Sequence, residues 1–291
     1  MYPILRKAEY ISFAELFLYL KGKKITLNIV NILFVGDVFG SSGRNALQEM
    51  LPELKKKYSV DFCAVNGENA SHGRGLSMKS ADELYIAGAD CITMGNHTWN
   101  NNDIYQYIDD YRIVRPANFA ASLPGKGDIL LECDKCPIGV VNVQGRVYMD
   151  PCDNPFEAAY EAVLRLREHA SVILVDFHAE ASAEKAAMAL YLDGLVTAVI
   201  GTHTHVQTAD EKILPGGTAF ITDVGMTGPH DSVIGMDKGA VLNKFVRCIP
   251  QKFQPATGSA SLNAVLIKAD AVSGRALDIT RIHVRSEDTG K

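Results

Sequence analysis

The chain lacks any apolar run long enough to cross a bilayer. The closest candidate, Ile11-Ser12-Phe13-Ala14-Glu15-Leu16-Phe17-Leu18-Tyr19-Leu20, is broken by Glu15 and falls short of the ~20 residues that a membrane helix needs. No small-residue cleavage site follows it, which argues against a secretory signal. An excess of positive charge is missing too. At a formal net charge of -5 the chain has no bulk attraction to nucleic acid or anionic lipid, so neither stable nucleic-acid binding nor membrane association is expected. The six cysteines (Cys63, Cys91, Cys133, Cys136, Cys152 and Cys248) follow no disulfide framework. Cys63 and Cys91 sit in apolar runs, where a free thiol behaves as a small hydrophobe. A cytoplasmic protein is expected. Cys133 and Cys136 have the spacing of a redox or zinc pair, but no second pair lies nearby to complete a zinc site. Their flanks, 128–132 and 137–143, read instead as the arms of a hairpin.

What is present is a regular alternation of strand and helix from residue 31 onward. Residues 31–36 form a continuous apolar run suited to a buried parallel strand. Residues 44–58 have helical apolar spacing, with Lys55, Lys56 and Lys57 favourable near the C-terminus. Strands follow at 61–66 and 91–94, with helices at 78–88 and 102–109; such a βαβαβ run implies a parallel sheet with right-handed crossovers. Beyond the hairpin, helices are expected at 154–170 and 183–192 and strands at 171–176 and 196–201. The tail reads as a hairpin over 213–221 and a final antiparallel pair, 260–269 with 276–284. No repeat or linker interrupts this order, so residues 31–291 are expected to form one domain. Its parallel strands lie in the first half, and its antiparallel strands close a second sheet. Residues 1–30 read as an N-terminal extension, either a disordered tail or residues upstream of the true start, because Val30-Asn31-Ile32-Leu33 leads straight into the first core strand. A short amphipathic anchor is the alternative.

Polar residues cluster where these strands end. The clusters are Gly36-Asp37, Asn66-Gly67-Glu68-Asn69, Gly95-Asn96-His97, Asp176-Phe177-His178 and Gly201-Thr202-His203-Thr204-His205. Each side chain brings polar atoms that must find partners, a poor choice for packing. The carboxyl edge of a parallel sheet is where ligands bind. Asp37 and Glu68 supply carboxylate oxygens, Asn69 and Asn96 amide oxygens, and His178, His203 and His205 imidazole nitrogens. Mixed oxygen and nitrogen donors suit Mn, Fe or Zn better than Ca or Mg. Seven donors exceed the needs of one ion and match two ions bridged by a shared carboxylate, an arrangement used in phosphoryl transfer. For His203 and His205, alternate residues of an extended segment would project to one side and share a site.

In order, these motifs resemble those of the calcineurin-like metallophosphoesterases. Ile32-Leu33-Phe34-Val35-Gly36-Asp37-Val38-Phe39-Gly40, Val65-Asn66-Gly67-Glu68-Asn69-Ala70, Gly95-Asn96-His97-Thr98-Trp99, Arg115-Pro116-Ala117-Asn118 and Asp176-Phe177-His178-Ala179-Glu180 resemble more closely the YmdB-like subfamily of bacterial phosphodiesterases. Phe39 and Glu68 stand where the broad superfamily has His and Asp, and the subfamily shows the same two changes. The resemblance implies an α/β fold, a metallophosphoesterase-type αββα sandwich with two central mixed sheets flanked by helices. It implies Asp37, Glu68, Asn69 and His205 around one metal and Glu68, Asn96, His178 and His203 around the other, with Fe or Mn as the ions.

His97 neighbours a ligand but cannot point the same way along an extended backbone, so it can face the substrate and act as proton donor. The expected activity is hydrolysis of a small phosphodiester by metal-bound hydroxide, with cyclic nucleotides such as 2',3'-cAMP implied by the resemblance. Two alternatives stand beside it: a phosphomonoesterase or nucleotidase on the same fold, and a metal-binding regulatory protein with little turnover. Substrate-contacting residues are not assigned; the Gly-rich loops carrying His72 and His230 are candidates to line the pocket. Self-association into a homo-oligomer is left open.

Overall fold

The computed structural model describes residues 28–286. Most of the expected N-terminal extension lies outside the described residues, but its boundary shifts. Strand β1 (Ile29–Val35) begins two residues before residue 31, and Val30 is fully buried in it.

Two sheets lie face to face. The first has the order β11-β12-β1-β2-β3-β4, with β13 paired to β12. Its parallel part consists of β1, β2 (Phe62–Asn66), β3 (Cys91–Thr93) and the two-residue β4 (Ile113–Val114). The long strands β12 (Ala260–Asp270) and β13 (Ala276–Arg285) flank β1 on its other side, together with β11 (Gly228–Pro229). The second sheet runs β5-β6-β7-β8-β10-β9. Its centre is the parallel set β6 (Ile138–Gln144), β7 (Val172–His178), β8 (Ala198–Thr202) and β10 (Ala219–Ile221). Antiparallel β5 (Asp128–Leu131) and β9 (Lys212–Ile213) close its two edges.

One expectation is corrected here. The C-terminal antiparallel pair does not close the second sheet. β12 pairs with β1 along the whole length of β1, from Ile29 opposite Asp270 to Val35 opposite Ala264. The reason lies in β12 itself, which is apolar on both faces. Val265, Ile267 and Ala269 join the core between the sheets, while Leu262, Ala264 and Leu266 join the core beneath the helices of the first sheet. A strand buried on both faces belongs in the interior of a sandwich.

The same alternation assigns faces elsewhere. Ile32 and Phe34 point between the sheets, Leu33 and Val35 toward α1 (Gly40–Tyr58) and α2 (Met78–Ala87). On the second sheet Val172 and Leu174 point inward, whereas Ile173, Val175 and Phe177 pack under α3 (Pro155–Arg167) and α4 (Ser182–Tyr191). The layers are therefore helix, sheet, sheet, helix.

Helix ends follow local chemistry. Asn154 caps α3 by accepting from the Phe156 N–H at 3.1 Å, and Ser77 caps α2 by accepting from Ser80. Gly88 ends α2 at φ 115, a conformation that favours glycine. α1 starts at Gly40, four residues before its apolar periodicity begins, and Gly43 in its first turn lies against the Thr227 carbonyl, where a Cβ would collide. Residues 102–109, read as a helix, form only a 3-10 turn over Asn102–Gln106. Cys133 and Cys136 pack against the inter-sheet core at the β5–β6 turn, as unpaired thiols.

Ile267 is fully buried between the sheets. I267A should lower unfolding free energy by about 2–5 kcal/mol with an unchanged denaturant slope. A loss below about 1 kcal/mol in urea titration would contradict this packing.

Candidate metal centre

The inward-facing residues of the parallel strands turn polar at their carboxyl ends. Along β7 the inward series Val172, Leu174 continues to Asp176 and His178; along β8, Ala198 and Ile200 continue to Thr202; along β2, Phe62 and Ala64 continue to Asn66. A polar seam thus caps the apolar interface, and the expected site residues gather there.

Their contacts fall into two groups that share Glu68. In one, Asn69 Nδ2 lies 3.1 Å from Glu68 Oε1, 3.5 Å from Asp37 Oδ1 and 3.2 Å from His205 Nε2. His205 Nε2 is 3.8 Å from Asp37 Oδ1. In the other, His178 Nε2 lies 3.1 Å from Glu68 Oε1, 2.9 Å from Asn96 Oδ1 and 3.0 Å from His203 Nδ1. Asp37, Glu68 and His178 are completely buried. The structure therefore brings together all seven residues proposed as ligands, drawn from both sheets.

The donor set fits a metal ion. Donor atoms of Glu68, His178 and His203 lie within 4.8 Å of one another. Carboxylates, imidazoles and the Asn96 amide oxygen converge from several sides and suit a transition metal, whereas Asn69 turns Nδ2 to the cluster and Oδ1 to His97, so its oxygen would ligate only with the amide turned over. Gly95 leaves the room: a Cβ there would collide with Glu68 and with the His178 ring.

Orientation comes from behind. Thr202 Oγ1 donates to Asp176 Oδ1 at 2.7 Å, so its oxygen accepts from His178 Nδ1 at 2.9 Å. This places a proton on Nδ1 and turns Nε2 toward the cluster, as outer partners of metal-binding histidines do. Asn66 Nδ2 donates to Asp176 Oδ2 at 3.0 Å, across the two sheets. Burial pushes the Asp176 carboxyl up to about 6, against the pull of His178 and of the hydrogen bonds from Thr202 and Asn66.

The buried charges set each other. Burial alone would raise Glu68, but attraction to His178 and hydrogen bonds from His178 and His97 hold it well below the usual carboxylate range. Burial would lower His178, yet Glu68 outweighs it and raises the imidazole to about 9. His203 goes the other way, to about 3, pressed down by burial and by His178 beside it. Asp37 is raised chiefly by burial, with His205 opposing.

Two geometric expectations are corrected. The segment carrying His203 and His205 is not extended: their φ angles are 101 and 67, in the left-handed region. The pair diverges, His203 toward His178 and His205 toward Asn69 and Asp37, and so serves both groups rather than one. Asn96 and His97 likewise occupy a turn, closed by the Thr98 N–H donating to the Gly95 carbonyl at 3.1 Å. His97 Nδ1 lies 2.7 Å from Asn69 Oδ1 and 3.2 Å from Glu68 Oε1. An amide oxygen only accepts, so Nδ1 carries the proton there and Nε2 is the atom free to exchange one. His97 lines a cavity of about 390 Å³ along with Glu68, Asn69, His203 and His205. His72 and His230 are exposed and do not line it.

Sequence reasoning gave no role to Thr202, Asp176 or Glu180, whose Oε2 is 3.2 Å from His203 Nε2. Asp176 carried a usable signal, standing two residues before His178 on one face of a strand. It also passed over Lys185 and Asp223. These two form a fully buried ion pair at 2.7 Å. Asp223 Oδ2 also accepts from Thr204 N at 3.0 Å and Thr204 Oγ1 at 2.8 Å, which pins the residue between His203 and His205. Nothing in a lone Lys on a helix marks such a partner in advance.

Comparison with known proteins gives the family and the fold. A family model described as YmdB-like protein matches residues 33–282. The chain is 47% identical over 259 residues to the Bacillus subtilis protein named 2',3'-cyclic-nucleotide 2'-phosphodiesterase, spanning 89% of this chain and 98% of that one. A crystal structure of a Mycoplasma pneumoniae protein described as a novel phosphatase superposes with a TM-score of 0.84 at 38% identity, over 89% of this chain and 95% of that one. The fold extends to Haemophilus influenzae NAD nucleotidase, with a TM-score of 0.55 at 13% identity, over 88% of this chain and 55% of that one.

Removing Asp223 would strand the Lys185 charge and free Thr204. D223A should cost about 3–5 kcal/mol in unfolding free energy, read by urea denaturation. A cost under about 1 kcal/mol would show that the pair does not anchor the histidine loop.

Proposed function

The chain belongs to the YmdB-like family of calcineurin-like metallophosphoesterases, and from that premise we propose that it is a metal-dependent phosphodiesterase that opens 2',3'-cyclic nucleotides. The observation that carries this reading is the position of Glu68, a buried carboxylate in contact with both groups of donors. Asp37, Glu68, Asn69 and His205 would hold one ion, and Glu68, Asn96, His178 and His203 the other, with Fe or Mn suited to the mixed donors. Bound there, the ions supply Lewis-acid polarisation of the phosphoryl oxygens and lower the pKa of water.

The remaining chemistry falls to the side chains. His97, with Nδ1 held by Asn69, presents Nε2 to protonate the departing 2'-oxygen as its bond to phosphorus breaks. Asp176 and Thr202 keep the His178 ring in place, and the Lys185–Asp223 pair keeps the His203–His205 loop closed. No helix among the described residues is long and apolar enough to cross a membrane. Six unpaired cysteines support a cytoplasmic enzyme, with the catalytic unit beginning at Ile29 rather than residue 31.

With Mn added, the protein should hydrolyse bis-p-nitrophenyl phosphate faster than p-nitrophenyl phosphate, followed by release of p-nitrophenolate. Preference for the monoester would move the reading to a phosphomonoesterase or nucleotidase. H97A should retain metal and lower kcat on 2',3'-cAMP by roughly 10²–10⁴-fold, with a much smaller loss on p-nitrophenyl diesters, whose leaving group needs no proton. Equal losses on both substrates would remove His97 from proton transfer. E68Q should lose both activity and metal content by elemental analysis.

A further inference from the structure

The cavity at the centre has two unlike walls. One is the polar cluster. The other is apolar, made by Phe39, Ile234, Met236, Val241, Phe245 and Phe253. A phosphodiester group alone has no use for that second wall. A volume of about 390 Å³ sits in the lower part of the range of small-molecule pockets, ~300–1,000 Å³, and suits one nucleotide rather than a strand.

The apolar wall is held in place. The Phe39 ring lies edge-on to His205 with centroids 5.6 Å apart, and a Cβ at either Gly73 or Gly235 would run into it. His205 Nδ1 lies 3.0 Å from the Ile234 carbonyl, an oxygen that can only accept, so the ring nitrogen donates and ties the wall to the metal centre. Phe253 is covered on one side by Lys244, whose Nζ is 4.8 Å from the ring centroid. Phe245, on α5 (Lys238–Arg247), lines the cavity yet is 73% exposed. An aromatic ring at the mouth of a polar site, open to solvent, is suited to stack on a flat aromatic ligand.

We propose that this apolar wall is a nucleobase subsite, with the base of the cyclic nucleotide stacked on Phe245 and Phe253 while its phosphodiester lies against the polar wall. The proposal rests on the phosphodiesterase reading for its substrate, but its test does not depend on turnover. Binding of 3'-AMP and of base-free glycerol phosphate to the Mn-loaded protein is measured by calorimetry, for wild type, F245A and F253A. Wild type should bind 3'-AMP at least about tenfold more tightly than glycerol phosphate, within the range that base–aromatic stacking supplies. Each substitution should erase most of that difference and leave glycerol phosphate binding unchanged. Equal affinity of wild type for the two ligands would overturn the proposal, as would equal weakening of both in the variants. An altered sedimentation coefficient in F245A, with its preference for 3'-AMP intact, would assign the α5 face to a second copy of the chain and also overturn it. If 3'-AMP is preferred and no diester is hydrolysed, the subsite stands and the diesterase reading falls.

Discussion

The site depends on one contact between the sheets, Glu68 Oε1 to His178 Nε2 at 3.1 Å. Glu68 follows a strand of the first sheet and His178 ends a strand of the second. Both are fully buried. A buried carboxylate without a partner is strongly unfavourable, and so is a buried imidazolium, so each sheet carries a charge that only the other can compensate. The Asn66–Asp176 hydrogen bond spans the same seam one layer deeper. The apolar interface below is non-directional and would tolerate small slides of one sheet on the other. The polar layer above it fixes the offset, and with it the separation of the donors.

Much of this is legible in the sequence because it follows from period-two alternation. Once Val172 and Leu174 face inward, Asp176 and His178 must do so as well, and the strand-end clusters converge on one seam. The resemblance in motif order carried the rest of the donor set. What sequence could not reveal was which strand pairs with which. β12 is apolar on both faces, a property that marks it as central without naming its neighbour. The backbone at His203 and His205 was hidden for a different reason. A left-handed conformation at a non-glycine residue is held by tertiary contacts, here Asp223 gripping Thr204, and leaves no local signature.

The two walls of the cavity divide labour between distant parts of the chain. The polar wall draws on the carboxyl ends of five strands and is fixed by the core beneath. The apolar wall comes mostly from a single stretch, 233–253, that carries α5 and no long strand. Rigid chemistry on strand ends beside a selective wall on a connection is a common division of function. Here the hydrogen bond from His205 to Ile234 joins the two, so a shift in the wall is felt at a donor.

The placement of β12 bears on how the chain is made. Among the described residues β1 is the first strand and β12 the penultimate one, yet β1 pairs with β12 along the whole of β1. During synthesis from the N-terminus, β1 therefore presents an edge of unpaired backbone groups, flanked by apolar side chains, until β12 has emerged. Unpaired hydrophobic edges of this kind invite association between chains. The nascent chain is thus open to association until β12 emerges to cover that edge.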